Sequence, residues 1–150
     1  MMLRLFAFLA LALTATPAFA QQKVSITADL FTLDESTSTA VFTGNVVVVH
    51  PTVTVWASKV VATYGAGGTT DIKTFEASEK VRLKTTDQTA TGDRAVFTPG
   101  DQLLHLTGNV VVVNSGGTVN ADELVVNLET NVSTFTSANK GRVTGVFTSQ

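Results

Sequence analysis

The sequence predicts an all-β fold, an antiparallel β-jellyroll or stacked repeat of short strands with open first and last edge strands. Three observations predict it. Threonine and valine supply 25 and 22 of the 150 residues, and β-branched side chains suit the pleated, half-buried surface of a sheet. Apolar and polar residues alternate at a period of two over most of the chain, as they do in a strand with one dry face. Finally, one segment is written twice, the mark of a fold grown by repetition.

The repetition can be followed residue by residue. Thr43-Gly44-Asn45-Val46-Val47-Val48-Val49 recurs unchanged as Thr107-Gly108-Asn109-Val110-Val111-Val112-Val113, 64 residues on. The match extends without gaps: Thr27-Ala28-Asp29 meets Thr91-Gly92-Asp93, Thr54-Val55 meets Thr118-Val119, and Ala57 meets Ala121. Each half divides again. Ala28-Asp29 is echoed by Ala57-Ser58, Gly92-Asp93 and Ala121-Asp122, at spacings of 29, 35 and 29. Asn45-Val46 is echoed by Lys80-Val81, Asn109-Val110 and Arg142-Val143. The longer middle spacing holds Gly65-Ala66-Gly67-Gly68-Thr69-Thr70-Asp71, a segment with strong turn chemistry. No linker of different composition interrupts the units, which predicts a single domain over residues 21–150.

Taken in order, residues 1–20 read as a secretory signal peptide. Arg4 precedes a short apolar run, and Ala18-Phe19-Ala20 supplies a small-x-small cleavage site. The run is short for a bilayer span and carries no stop-transfer cluster after it. Cleavage after Ala20 and a periplasmic location are expected. Residues 21–27 follow as an edge strand with Val24 and Ile26 on one phase, whereas Phe31 and Leu33 lie on the other. Val53 and Val55 are likewise followed by Val60 and Ala62, and Val119 by Leu124 and Val126. A repeated one-residue slip at a small residue is what a β-bulge or sheet corner needs. Each unit is therefore expected to turn at its Ala-Asp pair and again near Gly-Asn, with the Asp capping the bend through its own backbone. Leu104 and Leu106 alternate with His105 and Thr107, and Ala95 and Phe97 with Val96 and Thr98. No helical periodicity follows residue 20.

The same residues exclude several function classes. Charged residues make up only 15% of the chain and the net charge is −2, without the basic face of a nucleic-acid binder. There is no cysteine, hence no disulfide framework, thiolate nucleophile or thiolate metal site. Asp29, Asp93 and Asp122 are accounted for by the repeat. His50 and His105 read as surface histidines, and the glycine-rich loop lacks the Lys-Ser/Thr of a phosphate loop. No catalytic constellation, cofactor site or metal site is predicted, and the chain is not expected to be an enzyme.

What the sequence supplies in quantity is an apolar phase. The expected inward residues, which would line an apolar lipid-binding groove, are Val24, Ile26, Phe31, Phe42, Val46, Val48, Val53, Val55, Leu83, Phe97, Leu104, Leu106, Val110, Val112 and Val126, and Leu33, Val81, Val119, Leu124 and Phe135 share that inward phase. A repeat stack ends in first and last strands whose unpaired backbone invites another chain. Here those edges are expected at Val24 and Ile26, and at Val143 and Val146, so head-to-tail pairing would extend an apolar interior from copy to copy.

Phe42-Thr43-Gly44-Asn45-Val46 followed by Ala57-x-Lys59-Val60-Val61, and Leu106-Thr107-Gly108-Asn109-Val110 followed by Ala121-Asp122, resemble the OstA-like domain of the LptA/OstA family. The resemblance runs from about Val24 to Phe147, and Lys140-Gly141-Arg142-Val143-Thr144 resembles that family's closing strand. It implies a periplasmic β-jellyroll that carries lipopolysaccharide, its lipid A acyl chains in an apolar groove and its sugars in water. The implied partners are an LptC-like inner-membrane protein and the N-terminal domain of an LptD-like outer-membrane translocon. By position the family's lipid contacts carry over to Val24, Ile26, Leu83 and Phe97. The chain departs from the family in having Leu83 where an aromatic is often found and in lacking a polar C-terminal tail. A membrane-anchored LptC-type partner, an OstA-like spacer without lipid transfer and a β-solenoid hydrolase are the alternatives.

Overall fold

The computed structural model describes residues 23–137 and 141–148; the expected signal segment and Lys140 of the closing motif lie outside them. The strands are β1 (Ser25–Thr27), β2 (Leu30–Asp34), β3 (Thr39–His50), β4 (Val53–Tyr64), β5 (Ile72–Lys84), β6 (Gln88–Thr98), β7 (Leu103–Asn114), β8 (Gly117–Asn127), β9 (Val132–Thr136) and β10 (Thr144–Phe147). A 3₁₀ turn at Gly68–Thr70 occupies the expected glycine-rich loop. All pairings are antiparallel, in the order β1-β3-β4-β5-β6-β7-β8-β10, with β2 also on β3 and β9 also on β8.

Strand connectivity alone would give a flat meander. The sheet is folded instead, because every long strand bends at one place. Register breaks fall at Thr43/Val46 between β3 and β4, Ser78/Val81 between β5 and β6, and Thr107/Val110 between β7 and β8. At each, two residues face one on the next strand: Gly44-Asn45 face Ser58, Glu79-Lys80 face Asp93, and Gly108-Asn109 face Asp122. The intervening ladders break at the same level, Trp56/Lys59 and Thr91/Arg94. The Ala-Asp and Gly-Asn corners expected as two bends per unit are thus neighbours on one fold line. Strands β1 and β2 are two arms of one strand parted at Ala28-Asp29, pairing with opposite ends of β3. Strands β9 and β10 pair in the same way with opposite ends of β8.

The chemistry of the fold line is explicit. Gly44 and Asn45 have φ of 81° and 47°, and Gly108 and Asn109 repeat this at 80° and 49°. Glycine enters this left-handed region without penalty and asparagine enters it more readily than most residues. Asp29 does not cap through its own backbone as expected. Its carboxylate accepts from Asn45 Nδ2 at 3.1 Å across the ladder, and its amide donates to the Gly44 carbonyl at 2.9 Å. Asp93 accepts from Asn109 Nδ2 at 3.3 Å, and Asp122 accepts from Ser137 Oγ at 2.9 Å. The Asp and the Gly-Asn pair, 15 residues apart in the chain, form one device.

Beyond the line the sheet closes over itself. Layer 1 comprises β1, residues 46–50, 53–57, 81–84, 88–92, 110–114 and 117–121, and β10. Layer 2 comprises β2, residues 39–43, 59–64, 72–78, 94–98, 103–107 and 123–127, and β9. Both layers feed one core cluster, so they face each other. Its members lie in rows that cross the strands. In layer 1, Ile26, Val48, Val55, Leu83, Ala90, Val112 and Val119 are successive cross-strand partners. In layer 2 the row is Phe31, Phe42, Val60, Ala77, Ala95, Leu106, Leu124 and Phe135. Leu83, Leu106 and Leu124 are at most 1% exposed, and each such side chain stabilises the fold by about 1.5–3 kcal/mol. Among the described residues β1, β2, β9 and β10 each have one partner strand, which leaves the two ends of the folded sheet open.

Candidate functional site

The layers are not in contact everywhere. An apolar cavity of about 40 Å³ lies between Val24, Val48, His50, Val53 and Val55 of layer 1 and Val60, Phe75, Ala77, Ala95, Phe97 and Leu104 of layer 2, with Leu128 at its side. Side-chain size places it there. In the layer 2 row Val60 and Leu106 flank two alanines, Ala77 and Ala95, which sit directly opposite each other. Two residue pairs further from the fold line, Phe75 and Phe97 are also direct partners, their rings 6.3 Å apart and stacked at 17°. The missing methyls of the alanines are the cavity, and the two phenylalanines wall it toward the outside.

His50 is the polar side chain in that wall. The sequence placed it on the surface, but it is 7% exposed, because its strand ends against layer 2 rather than in solvent. Its ring meets Phe97 edge-on at 5.6 Å and 67°, a contact made from one layer to the other. Nδ1 accepts from the Thr52 amide at 3.2 Å and lies 2.9 Å from the Thr52 hydroxyl. An Nδ1 that accepts leaves the proton on Nε2, the neutral tautomer, and burial holds the imidazole below its ordinary pKa.

The sequence-selected positions fall into three groups. Val46, Val53, Val55, Leu83, Leu104, Leu106, Val110, Val112 and Val126 are buried, with Ile26, Phe42, Val48 and Phe97 packed against them. Of these, Val48, Val53, Val55, Phe97 and Leu104 line the cavity together with Val24. Phe31 lies elsewhere: 54% exposed on the edge strand β2, its ring 4.8 Å from Phe42. It is the outward end of the row, and among the described residues no strand lies beyond β2 to cover it. Leu33 shares that edge at 42% exposure. At the other end Val143 and Val146 are exposed, with Val146 paired to Thr118 in β10 and Val143 just before that strand.

Sequence reasoning missed Phe75, Ala77, Val60, Ala95, His50 and Leu128 as lining residues. The first two were legible, since Phe75-Glu76-Ala77 alternates as clearly as Ala95-Val96-Phe97. His50 and Leu128 gave no signal, because each lies at or just beyond a strand end where periodicity stops.

The outer faces carry the charge. Arg94 Nε donates to Glu76 Oε1 at 2.8 Å, which holds the Glu76 carboxyl below its usual range and raises Arg94. His105, outward as expected, lies 3.3 Å from Glu123. Arg82 stacks 5.1 Å over Trp56. Among the described residues no group of three or more His, Asp or Glu could hold a metal ion. Inside, the chemistry available is burial of apolar surface.

Residues 25–132 match the family described as LptA/(LptD N-terminal domain) LPS transport protein. The chain belongs to this family. The match runs from β1 to the start of β9, and so takes in both layers and the whole fold line. A protein of Rhizobium meliloti (strain 1021), itself uncharacterized, is 36% identical over 104 residues. That alignment covers 65% of this chain and 56% of the relative, so the chain spans little more than half of the relative's length. The crystal structure of LptH from Pseudomonas aeruginosa, described as the LptA-homologous periplasmic component of a lipopolysaccharide transport device, superposes with a TM-score of 0.72. The identity is 16% and the superposition covers 85% of this chain and 96% of that one. The folded double layer is therefore the fold of LptH, kept through extensive replacement of side chains.

Proposed function

We propose that this LptA/LptD N-terminal domain family chain is a passive, non-enzymatic carrier of lipopolysaccharide in the periplasm. Lipid A acyl chains ride between the two layers while the sugars stay in water. One observation carries the reading: the apolar rows cross the strands, in layer 2 from Phe31 of β2 to Phe135 of β9 and in layer 1 from Ile26 of β1 to Val119 of β8. An ordinary core is closed at its ends; this one stops at open strands. Like-folded partners added at those edges would continue the rows. The family match supports partners within the same pathway, an LptC-like inner-membrane protein and an LptD-like N-terminal domain, and further copies of the chain would join between them at the open edges. Burial stabilises a bound acyl chain by about 0.8 kcal/mol per methylene. Passage between like interiors is then nearly isoenergetic, and direction has to come from an energy-consuming step outside this chain.

Photo-crosslinking in cells tests the reading, with one probe at Phe97 on the cavity wall and a control at outward His105. Lipopolysaccharide adducts at Phe97 and not at His105 are expected. A folded, exported protein that gives adducts at neither position would overturn it.

A further inference from the structure

A second space lies at the margin opposite the fold line, where both layers end in turns. It is a cleft of about 490 Å³, within the range of about 300–1,000 Å³ typical of small-molecule sites. Layer 1 supplies Pro51 and Thr52 of the β3–β4 turn and residues 85–88 around the β5–β6 turn. Layer 2 supplies Val126, Leu128, Asn131 and Ser133, from the ends of β8 and β9 and their connection. Leu128 also lines the apolar cavity, so the polar cleft and the apolar interior adjoin at this side chain.

We propose that this cleft is a headgroup subsite for an uncharged sugar, with the alkyl chain of the same amphiphile directed past Leu128 into the interior. This rests on the carrier reading and adds to it a preference among headgroups.

The two banks of the cleft are held by their own turns. The Thr85 amide donates to the Gln88 carbonyl at 2.9 Å, and the Gln88 amide donates to Thr85 Oγ1 at 3.3 Å. Across the cleft, Asn127 Oδ1 accepts from the Glu129 and Thr130 amides, and the Asn131 amide donates to the Asn127 carbonyl at 2.8 Å. These turns close without the side chains of Thr86, Asp87, Gln88, Asn131 and Ser133, which make no hydrogen bond to another described residue. A sugar hydroxyl both donates and accepts, as do the hydroxyls and amides of this set. Pro51 and Leu128 offer apolar surface to the C–H face of a sugar ring. A phosphate instead accepts only, and its charge calls for Arg or Lys. Asp87 is the charged residue of the lining, and it is an anion. Lys84, beside the turn, pairs with Thr54 and Thr89 on the outer face of layer 1, in the phase opposite to inward Leu83. The lining therefore favours hydroxyls over phosphate.

Calorimetric titration of the exported protein with dodecyl maltoside and dodecyl phosphate, each below its micelle concentration, tests this. The maltoside is expected to bind severalfold more tightly. Gln88→Ala combined with Asn131→Gly removes both amides, glycine tolerating the φ of +59° at position 131. The double variant should bind the maltoside about tenfold more weakly, the loss expected for a pair of neutral hydrogen bonds, and the phosphate as before. Asp87→Lys should reverse the preference. Circular dichroism and the urea midpoint establish that each variant is folded. Equal or tighter binding of the phosphate by the parent, an undiminished maltoside affinity in the double variant, or a preference unmoved by Asp87→Lys would overturn the subsite. Binding of both compounds irrespective of head leaves the carrier reading standing and the subsite refuted. If neither dodecyl compound binds, the carrier reading fails, and methyl maltoside, which has no alkyl chain, decides the cleft by NMR. Saturable shifts of the Thr86 and Asn131 amides then uphold it, and their absence overturns it.

Discussion

Replacing Gly44 by alanine tests whether the fold line is made by the Asp and Gly-Asn device. Two penalties add. With φ at +81°, an L-residue costs about 1–2 kcal/mol relative to glycine. The new methyl would also lie 2.5 Å from Asp29 Oδ2 and 2.9 Å from Asp29 Cβ, and overpacking of this kind typically costs about 1–3 kcal/mol. Lower entropy of the unfolded chain returns about 0.4–1 kcal/mol. The net expectation is a loss of about 1–4.5 kcal/mol, a large share of the usual 5–15 kcal/mol of a small domain. Urea unfolding followed by the single tryptophan, Trp56, reads it. A cycle with Asp29→Gly separates the two penalties, because removing the Asp29 side chain leaves only the backbone part of about 1–2 kcal/mol. Gly108→Ala against Asp93→Gly should behave alike, since Gly108 has φ +80° and meets Asp93 in the same way. Stability within about 0.5 kcal/mol of the parent, the scatter of ordinary surface substitutions, would refute the reasoning. So would an undiminished Gly44→Ala penalty in the Asp29→Gly background.

Other perturbations probe the centre, the cavity, the edges and the buried histidine. Glu79 holds φ +64° at the fold line of β5, where the flanking units have glycine, so Glu79→Gly should raise stability by roughly 0.5–1 kcal/mol in the same urea assay. Ala77→Val adds two methyl groups to a cavity wall and should leave the urea midpoint nearly unchanged while reducing lipid crosslinking at Phe97. Leu33→Lys and Val132→Lys alter exposed edge positions and should abolish concentration-dependent association in light scattering without loss of fold. The pH dependence has a definite sign. His50 binds its proton less readily when folded, so the unfolded chain takes up more protons between the folded value and 6.5. Stability should fall as the pH drops through 6.5 and level off below the folded value, and His50→Phe should remove that slope. Glu76 and Asp71 are likewise held low by their cationic partners, but their contributions disappear only near and below ordinary carboxylate values. The histidine step is thereby separable.

The sequence announced the strands, the duplication and the place of the bend because each is local. Period-two alternation and a one-residue slip at Ala57-Ser58 or Ala121-Asp122 need no knowledge of neighbours. That Ala-Asp and Gly-Asn are two sides of a single corner was not legible, because it depends on register: Asp29 meets Asn45 only once β2 has paired with β3. The middle corner was the faintest, since Glu79-Lys80 adopts a glycine-like conformation without glycine. Inwardness was legible for valines and leucines in central strands and failed at Phe31, where the phase is apolar but, among the described residues, no further strand covers it. His50 failed in the opposite direction. A polar residue before a proline at a strand end reads as surface, and only the overlying layer buries it.

The open rows have a consequence for how strongly a carrier of this form can hold its cargo. The layer 2 row passes from Phe42 and Val60 through Ala77 and Ala95 to Leu106 and Leu124, so its two smallest side chains lie together at its centre. A uniform channel would let an acyl chain slide without preference. If copies carry an acyl chain as proposed, the alanine pair would make each copy a station, with the chain most favourably placed over the alanines and less so between copies. Enlarging the passage at the far edge by Leu124→Ala should therefore weaken retention at the Phe97 probe and increase adducts at a probe on Phe135, at a stability cost of about 2–5 kcal/mol. If adducts at Phe97 instead persist undiminished in a folded Leu124→Ala protein, the row does not set where the chain rests, and the alanine pair is only a packing defect.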